Sequence, residues 1–198
     1  VRSRRQRQMC IRDRYQWKED EHLLARNEFI GNLYNQFQDD KSPEALARVL
    51  VANYILEGVY FYSGFMFFYN LGRNNLMPGS VQEIRYINRD ENTHLWLFRN
   101  ILLELKEEEP ELFTPELVEE YRAMIKEGCE QEIRWGHYAI GDDVAGLNKQ
   151  MVTDYIQYLG NLRCTQLGFE PLYEGHEREP ESMSWVSPVS YTHLTLPT

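Results

Sequence analysis

An all-α helical bundle is the fold this sequence predicts, on three observations. Apolar residues between positions 15 and 187 recur at helical rather than alternating spacing, cap residues stand where the periodic stretches begin, and no Asn-Gly or Asp-Gly hairpin signal interrupts them. About 42% of the 198 residues are apolar and 13% aromatic, which supplies a sizeable core and argues against disorder over most of the chain. The length suits one domain, and neither a repeat nor a low-complexity segment divides it.

Five helices are expected, in order. The first covers residues 15–38, with Leu23, Leu24, Phe29, Ile30, Leu33 and Phe37 on one side, and Asp39-Asp40-Lys41 breaks it. Ser42 caps the second and Pro43 takes its first position; this helix runs to Leu71, and Gly72 ends it. After the Pro78-Gly79 turn, Ser80-Val81-Gln82-Glu83 reads as a capping box opening a third helix over residues 80–108, stopped by Pro110. Thr114-Pro115 opens a fourth, over 114–140, and a fifth covers 147–167. Beyond Gly168 the chain turns irregular, with Pro171, Gly175 and Pro180.

The second helix is tested against a membrane. From Val49 to Leu71, 17 of 23 residues are apolar or aromatic, a length that could span a bilayer. Asn53, Glu57, Ser63 and Asn70 interrupt it, however, and no basic flank orients it. A helix apolar all round is equally the mark of a buried central helix, and that is the expectation here, with no membrane partner.

The chain ends need separate treatment. Arg2, Arg4, Arg5, Arg7, Arg12 and Arg14 crowd the start of an otherwise acidic chain. Back-translated with one choice of codons, Val189–Thr198 reads on the opposite strand as Arg4–Asp13. Agreement over ten codons on opposite strands marks a transposon-type sequencing adapter at both ends. Residues 1–14 and 188–198 are therefore expected to carry no fold, and the domain is placed at 15–187. The formal net charge of the whole chain is −10; residues 15–187 hold 15 basic and 30 acidic residues, or −15. That balance argues against nucleic acid or an anionic membrane as partner. Cys10 leaves with the adapter, and Cys129 and Cys164 read as reduced thiols of a cytoplasmic protein, not as a disulfide framework.

Chemistry concentrates on two helices. A buried central helix should not hold an unpaired carboxylate, yet Glu57 shares a face with Leu50, Tyr54, Phe61 and Phe68. On the third helix the apolar stripe Ile84, Ile87, Phe98, Ile101, Leu105 skips two positions, and these are Glu91 and His94. Both should point inward, one turn apart, a spacing that can set an oxygen and a nitrogen on one metal ion. Glu-x-x-His alone is a common string, and Glu57 could instead be neutral or paired with Arg85 or Arg89. Three ionisable groups on two facing core stripes nonetheless satisfy each other poorly without a cation.

The run Glu57-Gly58-Val59-Tyr60-Phe61-Tyr62-Ser63-Gly64-Phe65, followed by Arg89-Asp90-Glu91-Asn92-Thr93-His94, resembles the small, radical-generating subunit of class I ribonucleotide reductase, closest to its bacterial aerobic form. The resemblance extends through Asn161–Leu172 and Ser184-Trp185-Val186. It implies the second half of a ferritin-like helical bundle. It implies further that Glu57, Glu91 and His94 are ligands of a dinuclear iron (or manganese–iron, or dimanganese) site. Asp90 matches an aspartate that bonds a ligand histidine of the other metal and lies on the radical-transfer route. Phe61, Phe65 and Ile87 match the apolar pocket of the radical. The implied function is dioxygen activation and radical generation for ribonucleotide reduction, as a homodimer working with the large catalytic subunit.

The same resemblance places a further carboxylate, a second Glu-x-x-His and the radical tyrosine upstream, and a docking tail downstream. Glu19-x-x-His22 lacks a tyrosine four residues on and reads as a solvated face, with Glu21 beside it; Tyr15, Tyr54, Tyr60 and Tyr62 are not expected to carry the radical. Another ferritin-like dimetal oxidase, or a non-catalytic helical module with a buried polar network, are the alternatives. Glu107, Glu108, Glu109 and Glu111 read as a solvated helix end, and His137 and His176 have no ligand-like partner spacing.

Overall fold

The computed structural model describes residues 15–186. Both adapter-like ends, and Ser187 beside the second, lie outside the described residues. Among those described there is no strand; six α-helices and three short 3-10 turns account for the architecture, an all-α bundle as the periodicity predicts.

After a 3-10 turn at Gln16–Lys18, helix α1 spans Glu21–Asp39. It begins later than the apolar spacing suggests because the Asp20 carboxylate accepts the N–H groups of His22 and Leu23, both at 3.0 Å. No α1 residue is fully buried; Phe29, Ile30 and Leu33 lie against the core. Helix α2, Pro43–Gly58, has the expected Ser42 cap, whose hydroxyl accepts the Ala45 N–H at 3.2 Å. Buried residues occur all round it, among them Ala47, Val51, Ala52, Tyr54 and Ile55, so α2 is the central helix. No helix among the described residues is long and apolar enough to cross a membrane.

The second expected helix is in fact two. It breaks over residues 59–61 and resumes as α3, Tyr62–Arg73. Val59–Tyr60–Phe61 contains no helix breaker. The interruption comes from tertiary partners that take the backbone groups it releases: Arg163 donates to the Gly58 carbonyl, Arg26 to the Tyr60 carbonyl, and the Ser63 N–H donates to Glu132. The break divides what would otherwise be one helix over residues 43–73.

The capping box is also overridden. Helix α4, Pro78–Glu108, starts two residues before Ser80, with Met77 in the left-handed region at φ 48°. Pro78 suits the first helical position, since it has no N–H to leave unpaired and its φ is already helical. The helical bond from Val81 N–H to Met77 O, 3.0 Å, puts Ser80 inside the first turn and Glu83 in the second.

A 3-10 turn at Pro110–Phe113 leads to α5, Pro115–Ala139, capped by Thr114 as expected. Helix α6, Lys149–Gln166, starts at Asn148, whose side chain accepts the Met151 N–H at 3.0 Å, and it packs along α5. Gly168, at φ 72°, ends it, and the irregular segment beyond folds back. There the Asn161 carboxamide accepts Leu172 and Tyr173 N–H at 2.7 and 2.9 Å, and Phe169, Met183 and Val186 enter the core.

Close approach of α5 to α2 depends on Gly128, where a Cβ would lie 2.5 Å from Ile55 Cγ2. Gly128→Ala gains roughly 1 kcal/mol of helix propensity but overpacks at a cost of about 1–3 kcal/mol. Net destabilisation is expected in urea unfolding. Gly31→Ala on α1, where nothing lies within 4 Å of the new Cβ, is expected to stabilise by about 0.5–1 kcal/mol.

Candidate metal centre

Glu57 is the next-to-last residue of α2, and Glu91 and His94 lie one turn apart on α4, which packs along α2. The fold brings all three together. His94 Nδ1 lies 2.8 Å from Glu91 Oε2 and 3.6 Å from Glu57 Oε2. One ligand atom from each falls within 4.8 Å of the others, and no other such group of His, Cys, Asp or Glu occurs among the described residues. The inward orientation holds for the carboxylates, whose side chains are 15% and 18% exposed, but not for His94 at 53%. A hydrophobic stripe fixes a direction around a helix; it does not fix whether another element covers it. Here α4 buries only Val81, Leu95 and Leu102 fully.

Electrostatics at the cluster are unfavourable to two bare carboxylates. Burial first, and then the neighbouring Glu91, raise Glu57 from 4.5 to about 7. The hydrogen bond to Glu91 raises His94 above its ordinary value. Neither arginine considered for Glu57 reaches it: Arg89 pairs with Asp90 at 3.0 Å, and Arg85 is exposed. Glu57 Oε2 is buried with no hydrogen-bond partner. A buried acceptor facing a second carboxylate and an imidazole nitrogen fits a divalent cation: hard oxygens with one nitrogen suit first-row ions. Donors around one ion at ~2.1 Å stand up to ~4.2 Å apart, so the set needs only a small contraction to close.

Other expected site residues divide. Phe65 is buried and Phe61 half-buried, with ring centroids 6.2 Å apart. Ile87 is 39% exposed, so the apolar wall is open on that side among the described residues. Asp90 is exposed and held by the Arg89 guanidinium. His22 packs against Tyr138, with ring centroids 4.7 Å apart and planes tilted by 37°, Glu21 is solvated, and neither joins the cluster. His137 contacts Thr153 Oγ1 at 2.8 Å, and burial pushes the Cys164 thiol up to about 12, consistent with an inert group.

Sequence reasoning missed two charges at the α2–α3 break, Glu132 and Arg163, both buried. The signal was present. Glu132 continues the inner stripe Tyr121, Ile125, Gly128, Cys129 of α5, and Arg163 continues Val152, Ile156, Leu159 of α6.

Comparison with known proteins identifies the family. The sequence model of the family described as ribonucleotide reductase, small chain, matches residues 5–180, a span that takes in part of the adapter-like start. The subunit beta of ribonucleoside-diphosphate reductase from Treponema pallidum is 74% identical over 180 residues, which is 91% of this chain and 51% of that protein. The corresponding subunit from Halalkalibacterium halodurans is 42% identical, over 86% of this chain and 49% of its own length. The ribonucleotide reductase R2 subunit from Clostridium botulinum superposes with a TM-score of 0.81 at 48% identity, covering 87% of this chain and 54% of that one. The chain thus spans about half the length of the curated relatives it matches. With its ferritin-like helical architecture and its Glu57–Glu91–His94 cluster, this chain belongs to the ribonucleotide reductase small-chain family.

Proposed function

We propose that residues 15–187 supply one half of a dimetal-carboxylate site in a ribonucleoside-diphosphate reductase small subunit. The observation that carries this reading is the convergence of Glu57, Glu91 and His94, with a buried carboxylate oxygen that has no partner. Glu57, Glu91 and His94 hold the metal. When bound, a pair of iron (or manganese and iron) ions in such a site activates dioxygen and yields the radical used by the large subunit to reduce ribonucleotides to deoxyribonucleotides. Phe61 and Phe65 keep water from the site, offering neither a proton nor a hydrogen-bond donor. Ile87 closes the same wall once its exposed side is covered. Asp90 serves as acceptor for a ligand histidine supplied by the other half of the subunit, replacing its contact with Arg89. The second Glu-x-x-His, the further carboxylate and the radical tyrosine come from that other half. The working assembly is a cytoplasmic homodimer with the large catalytic subunit as partner.

Metal analysis tests this reading. The 198-residue chain is expected to bind at most one Fe²⁺ or Mn²⁺ per chain and to show no reductase activity. Glu91→Ala is expected to abolish the binding; unchanged metal content would instead favour a buried polar network. Proton and metal compete for Glu57. With its carboxyl at about 7, apparent affinity for Mn²⁺ is expected to rise about tenfold or more from pH 6 to pH 8. Without metal the sign reverses. The folded chain retains a proton that the unfolded chain releases near 4.5, so stability is expected to fall as pH rises through about 7.

A further inference from the structure

The break after Glu57 is held by charged side chains that the metal cluster does not use. Glu132, in the middle of α5, has no solvent exposure. Its Oε1 accepts the Ser63 N–H at 2.8 Å, and its Oε2 pairs with Arg26 Nη2 of α1 at 2.8 Å. Arg26 also donates to the Tyr60 carbonyl and stacks on the Tyr60 ring, 4.5 Å from its centroid. The Ser63 amide needs this acceptor. The carbonyl four residues back, Val59 O, already accepts from Tyr62 N–H at 3.2 Å. On the other side of the break, Arg163 Nε donates to Gly58 O at 3.0 Å. The surroundings are shaped for these contacts. A Cβ at Gly136 would lie 2.7 Å from Ser63 Oγ, and one at Gly58 would lie 2.8 Å from Arg163 Nε.

Glu57 sits at this break and faces Glu91 and His94 on α4. Its Oε2 has no hydrogen-bond partner, and His94 Nδ1 stands 3.6 Å away. The place of its carboxylate is therefore set by where α2 ends. We propose that Glu132 is a positioning residue for Glu57: through the Ser63 amide and through Arg26 it holds the Gly58–Ser63 break, and the break sets the Glu57 carboxylate against Glu91 and His94. The inference rests on the metal reading above. It differs from a plain staple between α1 and α5 in predicting an effect on the metal site that loss of stability alone does not produce.

The test uses the full chain with Co²⁺ as probe at pH 8, followed by visible absorption. Amide exchange at residues 60–66 and thermal unfolding are measured alongside. Glu132→Gln and Arg26→Gln are compared with Asn161→Ala, which removes a similarly buried polar group of α6 that bonds Leu172 and Tyr173 and not the break. Both break variants are expected to weaken Co²⁺ about tenfold or more, in the range known for residues that orient metal ligands. They are also expected to shift the absorption bands and to speed exchange at Ser63. Asn161→Ala is expected to lower the unfolding temperature and leave Co²⁺ affinity within about twofold, below the tenfold scale of an orienting residue. Unchanged binding and spectrum in both break variants overturn the proposal, as does an equal loss in Asn161→Ala. If Glu132→Gln does not fold, Arg26→Gln decides by the same readouts. If the unmodified chain takes up no Co²⁺, the metal reading fails by itself. Exchange at Ser63, which needs no metal, then decides for Glu132, and an unchanged rate overturns it.

Discussion

An interrupted helix in a dry interior leaves backbone donors and acceptors that water cannot reach, and most of this structure follows from supplying them. Val59 and Tyr60 are buried, so the groups freed at the break must find protein partners or cost on the order of 1–3 kcal/mol each. Those partners are ionic and come from three other helices: Arg26 from α1, Glu132 from α5 and Arg163 from α6. Each charge is itself costly to bury, so each makes several contacts at once. Arg163 shows this: its guanidinium reaches Gly58 O, the Gln166 side chain and the Tyr62 hydroxyl. The break therefore does more than bend a helix. It obliges α1, α5 and α6 to meet around the end of α2, where Glu57 stands.

How much of this was legible depended on whether the cause was local. Ser42, Thr114 and Asn148 cap helices because a hydroxyl or amide three residues before an N–H can reach it without help from a distant element. Asp20 is of the same kind, and the spacing of apolar residues before it was the weaker guide. The start of α4 set one local rule against another, and the fixed φ of Pro78 prevailed over the capping box. The α2–α3 break was not legible, because nothing in Val59–Tyr60–Phe61 disfavours helix. Its determinants lie 34 to 105 residues away in sequence, at Arg26, Glu132 and Arg163.

The site was legible for a related reason. Polar residues that interrupt an apolar stripe are conspicuous, and Glu57, Glu91 and His94 were found that way. Applied evenly, the same test finds Glu132 and Arg163. What a stripe cannot convey is cover. Ile87 and His94 belong to the same stripe as Phe98 and Leu105, yet the first two are open and the last two lie against the core.

Charge explains why such a cluster persists at all. Two carboxylates and a neutral imidazole carry a formal charge of −2, and a chain with 30 acidic against 15 basic residues between positions 15 and 187 offers little general compensation. A divalent ion cancels the −2 directly. Without one, the nearest substitute is a proton, which is what burial beside Glu91 imposes on Glu57 as its carboxyl rises to about 7. Glu132, more deeply buried and also raised to about 7, has Arg26 as a fixed countercharge 2.8 Å away. The two glutamates thus separate by partner. One is tied to a guanidinium and a backbone amide and serves the scaffold. The other is left with an unbonded oxygen beside a second carboxylate, an arrangement that a scaffold has no use for and a cation does.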